Sequence, residues 1–147
     1  MSNVTLAQAS TIVDTALAKG RELKLHPLTV VVLDAGGHMV TMKREDKSGI
    51  LRADIATGKA WGTLGMGFGG REFARRAAGG GGLFLTPLMG ASDGRVVPAP
   101  GGVLIRDAAG DIVGAVGISG DTSDKDETCA VAGIEAAGLK PDTGETP

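Results

Sequence analysis

The chain has 147 residues, of which 25 are glycine, one is cysteine, one is tryptophan and none is tyrosine, and its net charge is −2. One domain spanning residues 1–147 is the natural size, with room for a core that needs no disulfide, and Cys129 has no second cysteine to pair with. The charge balance excludes an electrostatic grip on nucleic acid, and no apolar run reaches the ~20 residues of a membrane span.

The opening MSNVTLAQAS has no basic segment followed by an apolar core, so no secretory signal is expected and the cytoplasm is the expected compartment. Thr5 to Gln8 matches a capping box, and Leu6, Ala9, Val13, Ala16, Leu17 and Gly20 repeat at helical spacing. A helix over 5–23 follows, stopped by His26 and Pro27. Leu28–Leu33 is apolar on both faces, as a covered central strand should be. Asp34–Gly37 is a hairpin turn and His38–Arg44 the partner strand. Ser48 could cap a helix running to about Leu64, with Leu51, Ile55, Gly58 and Lys59 along one side. Glycines then interrupt the pattern before a short basic helix over Arg71–Ala77. Leu83–Leu85 is predicted as a short strand, and 86–100, with three prolines, as loop.

Gly102–Arg106, the turn Asp107–Gly110 and Asp111–Ser119 form a second hairpin. In its second strand, Val113, Ala115, Gly117 and Ser119 shrink toward the C-terminal end. A face that tapers in this way either admits the backbone of the last helix or leaves a recess. Ser123 is placed to cap that helix, which runs to about Ala137, with Asp124, Asp126 and Glu127 in its first turn and Gly138 just past its end. Two tight hairpins require antiparallel pairing. The expected fold is α+β, a three-layer α/β/α arrangement with an antiparallel sheet of about five strands and helices on both faces.

Three stretches, VVVLDAGGHMVTMKRED, GKAWGTLGMG and VGAVGISGDTSDKDETCAVAG, resemble in order the signatures of the GlcG/HbpS family, related to the C-terminal domain of PduO. The resemblance covers nearly the whole chain. It implies a profilin-like domain that assembles into homo-oligomers. Some members bind haem, some have been called haem-degrading, and related domains accompany cobalamin enzymes or glycolate-utilisation operons. The family therefore identifies a fold better than a reaction.

Few residues carry chemistry. His38, after a glycine turn, could ligate iron or act as an acid–base group, or it could simply flank the turn. Val40, Met42 and Arg44 would share its strand face, giving an apolar wall, a soft sulfur and a cation. His26 reads as a helix stop. Two histidines and one cysteine make no closely spaced metal set. Lys59, Arg71, Arg75 and Arg76 are the cationic concentration, suited to carboxylates or to a solvated helix face paired with Glu72. The Ser119–Thr122 loop before a helix resembles a phosphate cradle, but Asp121, Asp124, Asp126 and Glu127 would repel an anion. Relatives often have a second glycine where Asp121 stands, a departure that also argues against an anion there. Cys129 is a small core filler. Two functions stay open. One is a haem- or tetrapyrrole-binding protein, with His38 or a Met on the metal and arginines near the propionates. The other is an enzyme or accessory protein for a small hydroxy or keto acid, with Arg71 or Arg75 on its carboxylate and His38 as the acid–base group; behind both stands a purely structural oligomer.

Overall fold

The computed structural model describes residues 2–145. Helix α1 (Leu6–Glu22) starts at Thr5, where the expected capping box is formed by both side chains. It leads into β1 (Thr29–Asp34) and β2 (Met39–Arg44), then α2 (Arg52–Met66), α3 (Gly70–Ala78) and α4 (Gly81–Ser92). The second hairpin, β3 (Gly102–Arg106) and β4 (Ile112–Ser119), precedes α5 (Ser123–Ala136) and β5 (Lys140–Asp142). The strands form one antiparallel sheet in the order β2-β1-β4-β3-β5. This is the expected α+β architecture. On one face α1 and α5 bury Ile12, Val13, Ala130 and Ile134 against Val30, Val32, Val116 and Ile118. On the other, α2 sets Ala56 and Ala60 against Val31, Leu33, Leu104 and Ala115.

Of the tapering face of β4, Ala115 and Gly117 lie under α2, not under the last helix, while Val113 packs in the core on the α1–α5 side. Ala115 belongs to the α2 core, and a Cβ on Gly117 would run into the carbonyl of Ala56. Only a glycine lets the helix backbone come so close. On the same helix, Gly58 admits the 94–97 segment: an added Cβ would stand 2.7 Å from the carbonyl oxygen of Arg95. Small residues thus let the α2 backbone approach the sheet, at Gly117 and Gly102, and a loop, at Gly58.

Several local expectations are overturned. Leu83–Leu85 lies in a helix, and 86–92 continues it instead of forming loop. A short apolar run does not distinguish strand from helix. Here Phe84 stacks beside Phe73 of α3 and under Arg76, which a helical turn permits. Five strands are present, but the remaining one is β5, closing the sheet beside β3. Ser48 caps nothing: it is buried, its hydroxyl 2.8 Å from that of Thr29, and α2 starts only after Leu51. Leu51 is exposed, and α2 instead buries Ala56, Gly58, Lys59, Ala60, Gly62 and Thr63. Ser123 is the first residue inside α5, after Thr122, and Asp126 accepts the Asp121 N–H at 3.0 Å. Gly138 does take the left-handed conformation that ends α5, at φ 76°.

The expected face of His38, Val40, Met42 and Arg44 is not continuous: His38 precedes β2, and Val40 does not share a face with Met42 and Arg44. Pairing of Val32 with Thr41 and of Leu33 with Met39 leaves Val40 as the extra residue of a bulge, packed toward α1. Met39, Met42 and Arg44 lie opposite Leu33, Val31 and Thr29, on the α2 side.

Candidate functional site

The turn after β1 builds an oriented histidine. Asp34 Oδ1 accepts the backbone N–H groups of Gly36 at 2.9 Å and His38 at 3.0 Å, and lies 3.1 Å from His38 Nδ1. Slight burial works to raise the Asp34 carboxyl. The two backbone donors and the imidazole outweigh it and hold the group below the usual carboxylate range. A carboxylate only accepts, so in the neutral ring Nδ1 carries the proton and the lone pair is on Nε2. The His38 side chain is 81% exposed. A histidine held at Nδ1 by a carboxylate is the arrangement that orients metal-binding imidazoles.

Beside this turn runs a groove. Its first part, about 230 Å³, is lined by Ala35, Gly36, Gly37, Trp61, Leu64 and Gly65. Ala35 and Leu64 also line the next hollow, about 570 Å³, which reaches Ile112 and Arg106. Arg106 is committed there to Asp142 at 2.9 Å and to the Gly110 carbonyl. The groove has apolar walls at Trp61, Leu64 and Ile112, adjoins the His38 turn at Ala35–Gly37, and ends among the polar groups of Arg106 and Asp111.

The other sequence candidates lie elsewhere or are occupied. Met42 is partly exposed on edge strand β2, and Arg44 donates to the Ser48 carbonyl at 2.7 Å. Lys59 is buried, donating to the Ile118 carbonyl at 2.9 Å and to Asp126 at 3.3 Å. Burial disfavours both charges, lowering the Lys59 pKa and raising that of Asp126, while their mutual attraction opposes each shift. Arg71 makes paired hydrogen bonds with Glu127 and reaches Asp124, and Arg75 pairs with Glu72. Burial raises the Glu127 carboxyl against the pull of Arg71. Asp121 closes the loop before α5, accepting from His26 N–H and Thr122 N–H, so that loop presents carboxylates rather than free donors. Cys129 is buried, its thiol pushed up to about 11 by burial. Among the described residues no group of three or more His, Cys, Asp or Glu side chains could hold a metal ion.

Sequence reasoning missed Asp34 as the partner of His38 and Trp61 as a groove wall. The Asp-to-His spacing across a glycine turn was a usable signal for the first. Nothing local marks the only tryptophan as exposed to a groove instead of packed in the core.

The family described as "Haem degrading protein HbpS-like" matches residues 4–135. The chain belongs to this family. An uncharacterized 15.0 kDa protein of the dhaT-dhaS intergenic region of Citrobacter freundii is 28% identical over 135 residues, 92% of each chain. Among solved structures, a PduOC:heme complex superposes with a TM-score of 0.83 at 23% identity, covering 97% of this chain and 99% of that one. The Klebsiella pneumoniae protein ORFY gives a TM-score of 0.83 at 25% identity, covering 94% and 92%. These likenesses carry the fold across 94–97% of the chain. No helix of the described residues is long and apolar enough to cross a membrane.

Proposed function

We propose that this HbpS-like protein binds haem or a related tetrapyrrole, with His38 as the iron ligand and the Trp61–Leu64–Ile112 groove as its apolar wall. The observation that carries the reading is the His38–Asp34 pair: Nδ1 is tied to a carboxylate at 3.1 Å while the ring stands exposed. A bound haem would supply a redox-active iron. Asp34 would keep the Nδ1 proton in place and the ring oriented, and the apolar wall would exclude water from one face of a flat ligand. Met39, the residue after His38, and Met42, both partly exposed on edge strand β2, are the soft donors nearest in sequence. The haem complex known for a structural neighbour adds plausibility. The reading with a small hydroxy or keto acid on Arg71 or Arg75 draws no support from those side chains, since carboxylates of the protein already engage both.

Hemin added to the protein should give an intense Soret band. His38→Ala should keep the far-ultraviolet circular dichroism of the wild type and weaken hemin binding about tenfold or more, roughly 1.4 kcal/mol. Equal affinities and identical spectra for the two proteins would remove His38 from the site.

The same proposal includes a homo-oligomer. Helix α4 carries no charged residue, buries only Ser92, and leaves Leu83 91% exposed. Ile50 and Leu51 add further apolar surface. Apolar surface of this kind is costly in water and is usually covered by association. Light scattering at micromolar concentration should report a multiple of 14.7 kDa; a monomer mass would contradict this part.

A further inference from the structure

We infer that the groove between α2 and the 94–97 segment is a second binding site, for a small monocarboxylic acid with an apolar body, and that Arg95 holds the carboxylate. The site is built rather than incidental. Val97 N–H donates to the Gly58 carbonyl at 3.2 Å, and the absence of side chains at Gly58 and Gly62 lets Val97 and Val96 lie directly on the helix. The resulting hollow is about 350 Å³, with walls from Leu51, Ile55, Trp61 and Val97. That is the lower end of small-molecule pocket sizes.

Arg95 supplies the chemistry. Its guanidinium carbon lies 3.8 Å from the centre of the Trp61 ring, so the indole face positions the cation at the groove wall. Every other arginine among the described residues pairs with a carboxylate or donates to another protein oxygen. The Arg95 side chain has no such acceptor among those residues. A guanidinium lying over a ring keeps its N–H edge free, and that edge matches a carboxylate with two parallel hydrogen bonds. The apolar body of the acid would then lie on Ile55, Leu51 and Val97. Asp54, also in the lining, repels a second carboxylate and accepts from a hydroxyl or amine on that body. The preferred ligand is therefore a monoacid, not a dicarboxylate. This inference does not rest on the haem proposal, because the two hollows share only Trp61 and the His38 turn does not line this one.

Trp61 is the only tryptophan and walls both hollows, so its fluorescence reports binding, and Arg95→Gln tells which hollow is filled. Titrating haem-free wild-type protein with phenylacetate at millimolar concentrations should change that fluorescence saturably. Phenylacetamide, which lacks the charge, and acetate, which lacks the body, should not. Arg95→Gln, on an exposed loop position, should stay folded by circular dichroism and weaken the phenylacetate response roughly tenfold. His38→Ala should respond as wild type does. No saturable change with phenylacetate, an equal response from phenylacetamide, or unchanged affinity in Arg95→Gln would each overturn the assignment. Loss of the response in His38→Ala would overturn the separation of the two sites.

Discussion

Gly117→Ala should destabilise the protein by more than about 3 kcal/mol, beyond the usual range for overpacking a core. The new methyl would collide with the Ala56 carbonyl and stand 3.0 Å from the Ala60 N–H nitrogen, both of them backbone atoms of α2. A flexible side chain could turn aside; a helix backbone cannot move without carrying Ala60 and Ala56 away from Val31, Leu33 and Leu104. The same shift would disturb both grooves, since each takes Trp61 from α2. Urea denaturation of the variant checks the loss. A midpoint within experimental error of wild type would mean that α2 does not rest on β4 as described. Gly110→Ala, at a turn with nothing within 4 Å of its Cβ, makes a useful comparison, because only its positive φ of 90° opposes the substitution.

Lys59→Met should be nearly as damaging, at roughly 3–5 kcal/mol near neutral pH, because it strands a buried carboxylate. The Lys59 and Asp126 side chains are 4% and 1% exposed, and the pair joins α2 to α5 around the end of β4. Adding Asp126→Leu should recover only part of the loss: it removes the stranded charge, but the Asp121 N–H and the Ile118 carbonyl still lose these side-chain partners. The pH dependence of the single variant has a definite sign. Burial raises the Asp126 pKa, and removing Lys59 removes an opposing attraction, so the folded state holds the Asp126 proton more tightly than the unfolded chain does. Stability from that proton is present below the ordinary carboxylate range and is lost as pH rises through the folded-state pKa. The deficit of Lys59→Met relative to wild type should therefore narrow on acidification. Denaturation midpoints across the acid range test this; a deficit that widens in acid would show that the carboxylate is not the stranded group.

Much of the architecture was legible because its causes are local. The Thr5 capping box, the glycine turns at Asp34–Gly37 and Asp107–Gly110, and the end of α5 at Gly138 each depend on residues a few positions apart. The doubly apolar run in β1 announced a strand covered on both sides, as it is. Where the reading missed, the deciding contact was distant. Leu83–Leu85 is helical beside α3, and the bulge at Val40 depends on pairing with β1 rather than on β2 itself. For the candidate site, His38 and its turn could be picked out from the sequence. Its neighbours could not, because Trp61 and Ile112 come from elements 23 and 74 positions further along the chain.

By itself the sequence determined the family, the α+β class and both hairpins, since these follow from periodicity, turn chemistry and motif order. Only the tertiary structure decided what the charged and small residues do. Lys59, Arg71 and Arg75 all look like available cations in one dimension, yet Asp126, Glu127 and Glu72 engage them. Arg95, unremarkable in the sequence, lies over the Trp61 ring. Gly117 meets α2 instead of α5. The physical reason is common to all three: a charge's partner and a glycine's neighbour are set by which elements pack face to face. That choice depends on side-chain shapes across the whole sheet, not on the residues adjacent in the chain.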